Sequence, residues 1–177
     1  MSIKDLKIID PRNILPEDFP VWVLSGDMRG FIGYGIRELT KSNWNHSMTM
    51  QRPGHICSQN LTYTERPIVN YMKSGIILKF YKCHDMTAEE REEILSQIET
   101  DLAKPWWGTF YDFPGIVGQL FGIRWFNIPW LNYCSERTAK LIRVIIKNLK
   151  LHPTPEDNDQ ALKDSKRMTC LGYWLDL

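Results

Sequence analysis

The stretch "LNYCSERTAKLIRVIIKNL", residues 131–149, predicts a helix with a cysteine in its first turn. Cys134, Thr138, Leu141 and Ile145 are three or four positions apart, which brings their side chains round to one side of a helix. Cys134 therefore belongs to the side that faces a core. Two readings of the thiol stand side by side. Free cysteine is among the most buried residue types, and it packs as a small apolar group. A thiol at a helix start also lies beside unpaired backbone N–H groups and the positive end of the helix dipole, and both favour the reactive thiolate. Ser135 can cap such a helix. Glu136 complements its dipole while pointing away from Cys134, more an anchor than a chemical group.

Upstream, the chain supplies strands. "VWVLSGD", residues 21–27, is β-branched and aromatic and stops at a Gly-Asp turn. "NHSMTMQ" alternates His46, Met48 and Met50 against Ser47, Thr49 and Gln51, the period of a half-buried strand. Arg52-Pro53-Gly54 turns the chain into "HICSQNLTY", a further strand, and "GIILKFYKC" at 75–83 is another. Between the first two strands, "GFIGYGIRELT" can be either a loop or a short helix. Thr87 with Glu90 forms a capping box, followed by Ile94, Ile98 and Leu102 on one stripe, so a helix runs from there to Lys104-Pro105. Strands flanked by helices, without a βαβ alternation, give an α+β class.

Composition bounds the rest. The 177 residues suit one domain, 1–177, with a proline-broken arm over 1–20 and a polar tail over 151–177. The net charge of +1 gives no field for nucleic acid. The arm has no apolar core of a signal peptide, and the apolar run near 115–131 is broken by Gly118, Gly122, Arg124, Asn127 and Pro129. Four widely spaced cysteines (57, 83, 134 and 170) contain no C-x-x-C pair, which speaks for reduced thiols and a cytoplasmic location. The adjacent pair Cys83-His84 is poor metal-ligand spacing, so no metal is expected. Trp106, Trp107, Trp125 and Trp130 crowd one segment that can pack in the core or line a groove. His152, ahead of a proline, is expected at the surface.

A nucleophilic cysteine needs a base, and backbone N–H groups at its own helix start can hold an oxyanion. His46 is the candidate. Alternation puts its ring on the face of Met48 and Met50, and if the helix packs on that face the two side chains meet.

The wording around these residues resembles a known group. "NYCSERTAKLI" is similar to the aromatic-Cys-Ser-Glu helix start of the permuted, NlpC-type papain-fold thiol hydrolases, and "WNHSMTM" to their histidine-led strand. The histidine precedes the cysteine because that papain-like core is circularly permuted. "VLSGD" resembles the first strand, "KPWWGTFYDFPGI" the Gly-x-x-Tyr-Asp segment before the nucleophile helix, and "TPEDND" the Pro-x-Asp stretch after it. The five pieces occur in the family's order across roughly residues 20–160.

The resemblance implies a papain-like α+β fold, with a small antiparallel sheet against the Cys134 helix. It assigns Cys134 as nucleophile and His46 as base of an amidase- or peptidase-like hydrolase that passes through an acyl-enzyme without a cofactor. The third group, which orients the imidazole, comes from the next strand, where many relatives carry Glu. "HICSQN" has no acid, so Gln59 takes that role first, then Ser58 or His55. Tyr111 and Asp112 match the Tyr-Asp segment and, with Ser58, can line the cleft or assist the oxyanion. The expected substrates are peptides, peptidoglycan-like links or lipid esters. Two other readings stay open: a catalytically silent papain-like binding protein, of phage or virus type, and a lipid acyltransferase with an exposed apolar segment near 106–131 that touches membranes.

Overall fold

The computed structural model describes residues 6–27, 42–105, 107, 109 and 134–176. Within them the chain forms an α+β unit, a six-stranded antiparallel sheet with three α-helices. The strands are β1 (Val21–Asp27), β2 (His46–Arg52), β3 (His55–Gln59), β4 (Tyr63–Pro67), β5 (Ile76–Cys83) and β6 (Met168–Leu175). They lie in the order β4-β3-β2-β1-β5-β6. The helices are α1 (Ala88–Ala103), α2 (Cys134–Ile145) and α3 (Pro155–Asp164).

β1 and β2 occupy the middle of the sheet, where both pleat faces are covered. This explains why Val21 to Gly26 are all buried and why Ser47 to Met50 are buried without a solvent-facing alternate. A half-buried β2 was the expectation from its alternation; the alternation instead separates two interiors. Val21, Val23, Met48, Met50, Ile56, Leu78 and Phe80 pack with Ile14 and Phe19 of the N-terminal segment. Trp22, Leu24, Cys57 and Tyr81 pack on the other side with Ile94 and Ile98 of α1, Leu141, Ile142, Val144 and Ile145 of α2, and Leu162 of α3. One face is thus roofed by the arm, the other by helices.

The capping box predicted at Thr87 forms: Glu90 N–H donates to Thr87 Oγ1 at 3.2 Å, and Thr87 N–H donates to Glu90 Oε2 at 3.0 Å. α3 begins with a second box, between Thr154 and Asp157. The segment 151–177, expected as a tail, holds α3 and β6 instead, and β6 pairs along most of β5. The N-terminal arm also joins the sheet. Tyr173 N–H donates to Lys7 O and Ile9 N–H donates to Tyr173 O, both at 2.8 Å. Gly172, with φ near +149°, permits this approach, since a Cβ there would stand 2.5 Å from Lys7 O. No helix among the described residues is long and apolar enough to cross a membrane.

Candidate active site

Cys134 is the first residue of α2 and is 3% exposed. The helix buries almost its whole first two turns, including Ser135, Glu136 and Arg137. Charged residues are tolerated there because each has a partner. Arg137 pairs with Asp101 of α1 at 2.5 Å and lies over the Tyr63 ring at 4.7 Å. Glu136 accepts from His152 Nδ1 at 2.5 Å, which ties the chain after α2 back to the helix start. His152, expected as a plain surface residue, is therefore half of a buried-to-exposed pair.

His46 opens β2, opposite Ser25 of β1. The four residues before it are held tightly. Ser42 Oγ donates to Trp44 O at 2.6 Å and accepts from Trp44 N–H at 2.9 Å. The Asn45 amide pairs with the Asp27 backbone in both directions, as a strand neighbour would. Gly26 makes room for this turn, because a Cβ there would lie 2.9 Å from Asn43 O.

The expected route from His46 to Cys134 requires a correction. Alternation does place His46 with Met48 and Met50, but those methionines face the N-terminal arm and not α2. Period two decides which residues share a face; it does not say which face a helix covers. The side chain that faces α2 and α3 is Ser47. There Asn158 of α3, fully buried, donates from Nδ2 to Ser135 O at 2.9 Å and to Ser47 Oγ at 3.4 Å. One carboxamide thus bridges the residue after His46 and the residue after Cys134.

α3 holds the approach to His46 by further contacts. Glu156 Oε2 accepts from Asn43 N–H at 3.0 Å and lies 3.0 Å from Ser42 Oγ, whose single proton it shares with Trp44 O. Asp159 accepts from the Trp44 indole at 3.0 Å, from Lys79 Nζ at 2.7 Å and from Tyr81 OH at 2.8 Å. The buried Lys79 ammonium also sits 4.8, 5.6 and 5.7 Å from the ring centres of Tyr81, Trp44 and Tyr173. Burial raises the Tyr81 hydroxyl far above its ordinary value, with the Asp159 carboxylate adding to it. None of these α3 residues was named individually from sequence, although Glu156, Asn158 and Asp159 all lie in "TPEDND", the stretch read as resembling the Pro-x-Asp piece after the nucleophile helix.

The side chain bonded to the His46 ring is not Gln59, the one expected first to orient it. Gln59 donates from Nε2 to Thr109 O at 2.5 Å and is not bonded to His46. The reason is again the pleat: Gln59 and Cys57 share one face of β3, Ser58 and Ile56 the other. His46 Nε2 lies 3.0 Å from Ser58 Oγ, and Tyr71 OH donates to the same oxygen at 2.7 Å. Asn60 Nδ2 in turn donates to Tyr71 OH at 2.9 Å. His55 Nδ1 lies against Pro53 O, at the far end of the hairpin. Tyr111, Asp112 and nearly all of the aromatic segment 106–131 lie outside the described residues, as does "GFIGYGIRELT"; Trp107 is described and exposed.

The remaining thiols are biased toward the protonated form. Burial pushes Cys57 up to about 12 and Cys83 up to about 11, and it raises Cys170 as well. Among the described residues no three His, Cys, Asp or Glu side chains gather as a metal site would require. No protein-family model and no curated protein matches the chain.

Proposed function

We propose that this protein is a thiol hydrolase of the permuted papain-like, NlpC type, with Cys134 as nucleophile and His46 as base. The observation that carries the reading is the Asn158 carboxamide, which ties the start of the histidine strand to the start of the cysteine helix. His46 is the terminal residue of β2, and the reading requires its ring to meet the thiol around the end of the strand and not through the sheet. The Cys134 S–H proton passes to the imidazole as Sγ bonds to an amide or ester carbonyl carbon, and the carbonyl π pair moves to oxygen. Backbone N–H groups of the α2 start stabilise that oxyanion. Collapse expels the amine or alcohol, which takes the proton from the imidazolium. Water, deprotonated by His46, then cleaves the thioester and releases the acid.

Alkylation with iodoacetamide at neutral pH, read by mass spectrometry at each cysteine, tests the nucleophile. Cys134 should react faster than a free thiol, while Cys57 and Cys83 stay nearly silent. A Cys134 rate no higher than that of free cysteine would remove the hydrolase reading. Peptidoglycan fragments, isopeptides and lipid esters, with Cys134→Ala as control, would then assign the substrate. A second reading, the silent binding protein, is favoured by one observation: β2 turns Met48 and Met50, and the face they define, away from α2. It predicts no turnover of any substrate and no enhanced alkylation.

A further inference from the structure

We propose that Ser135, Asn158 and Ser47 form the seat of one internal water molecule between α2, α3 and β2, a binding site that stands whether or not Cys134 is a nucleophile. The three residues are sealed from solvent, at 0%, 0% and 1% exposed. Asn158 Nδ2 directs its protons at Ser135 O, 2.9 Å away, and at Ser47 Oγ, 3.4 Å away. A backbone carbonyl can only accept, so the first contact fixes which end of the carboxamide is nitrogen. Asn158 Oδ1 is the other end, and it has no hydrogen-bond donor among the described residues. Ser135 Oγ belongs to the residue whose carbonyl the same carboxamide holds, and it too is without a partner among them. Two buried, unbonded oxygens thus stand on side chains that are already in contact.

Buried polar groups are almost always bonded, either to protein or to ordered water. An amide oxygen can only accept, so the partner of Asn158 Oδ1 must bring a proton. Ser47 Oγ, which takes the long bond from Nδ2, keeps a proton of its own to give. Water answers all three groups. It donates to Asn158 Oδ1, bonds Ser135 Oγ in whichever sense that hydroxyl turns, and accepts from Ser47. About three bonds is the usual complement of an internal water. A cation does not suit the seat, because its oxygens are neutral and the neighbouring Asp159 carboxylate is engaged by Lys79, Tyr81 and Trp44. An apolar group would leave both oxygens desolvated. The seat lies inside the joint that fastens α2 and α3 to β2, so this water leaves only when that joint opens.

A high-resolution crystal structure of the full chain, together with magnetic relaxation dispersion of water in solution, tests the proposal. The expected crystallographic result is one ordered water within hydrogen-bond distance of both Asn158 Oδ1 and Ser135 Oγ. In solution, Asn158→Leu should lose one long-lived water relative to wild type. Ser135→Ala, a change that a helix tolerates well, removes one of the water's bonds and should shorten its residence time about tenfold. No water peak between the two oxygens, or density that joins Ser135 Oγ directly to Asn158 Oδ1, overturns the proposal. So does a dispersion that is the same in wild type and Ser135→Ala, and this comparison decides the matter even if Asn158→Leu does not fold.

Discussion

The two faces of the sheet are held by different means. The arm face is built from apolar side chains such as Val21, Val23, Met48, Met50, Ile56 and Phe80, with Ile14 and Phe19 laid across them. The helix face has an apolar centre too, but near β2 it is fastened by buried polar joints: Asp159 with Lys79, Tyr81 and Trp44; Asn158 with Ser47 and Ser135; Arg137 with Asp101. Apolar burial has no direction and tolerates small shifts. Hydrogen-bonded charges fix a relative position or fail together. The polar fastening holds the starts of α2 and α3 against β2, and the arm face is apolar apart from the joint of His46, Ser58, Tyr71 and Asn60 at the end of the strand.

The largest expected effect separates these two modes. Asp159→Ala leaves the Lys79 ammonium buried without its carboxylate and should cost about 4 kcal/mol in denaturant unfolding. Adding Lys79→Met should recover much of that loss, since the uncompensated charge is then gone. A loss that persists in the double variant would mean that shape, not charge, fastens this face. On the arm face Met50→Ala, at a fully buried site, should cost about 3 kcal/mol by opening a cavity. It should leave Cys134 alkylation unchanged, and a slower alkylation would show that the two faces are not separable.

Gly26→Ala probes the seam between them. Its new Cβ must displace the Asn43 carbonyl, a backbone atom, so a cost of about 2 kcal/mol is expected together with a disturbed His46 approach. Thermal unfolding and the His46 ring spectrum should therefore change together. The smallest effect is acid sensitivity. Burial alone would raise the Asp101 carboxyl, but Arg137 and Lys104 outweigh it and hold the group below its ordinary 3.8. A carboxyl depressed in the folded state adds stability above its unfolded value, and that stability is lost as pH falls through the folded one. Asp101→Asn should thus flatten the dependence of stability on pH below about pH 4. An unchanged slope would assign the acid response to other carboxylates.

Much of the sheet was legible before any coordinates. β1 matches its segment from Val21 to Asp27, β2 begins at His46, and the α1 box sits on Thr87 and Glu90. These elements announce themselves through local chemistry: β-branched runs, alternation and reciprocal caps. β4 does not, because "YTERP" is polar and gains its extended shape from pairing with β3. β6 was hidden for a related reason. Its partner β5 is far away in sequence, and its own run is interrupted by Gly172 and irregular pairing at Phe80 and Tyr81. At the candidate site, the helix start and the histidine strand carried recognisable patterns. The choice between Ser58 and Gln59 depended on which pleat faced the ring, and the role of Asn158 on a helix that brings distant segments together; no local pattern encodes either.

The N-terminal arm has one more consequence, for how the molecule keeps to itself. A sheet ends in two strands whose outer backbone groups are ready to pair with any passing chain. At β4 that edge is made uninviting by Glu65, Arg66 and Pro67, with Glu65 bound to Arg52 at 2.6 Å. At β6 the outer strand, "MTCLGYWL", has no such charges, and the segment around Lys7 and Ile9 occupies part of its edge through the Tyr173 backbone. A chain shortened past Ile9 would fold around the same core and yet present a bare aromatic strand to its neighbours, exchanging an intramolecular partner for an intermolecular one.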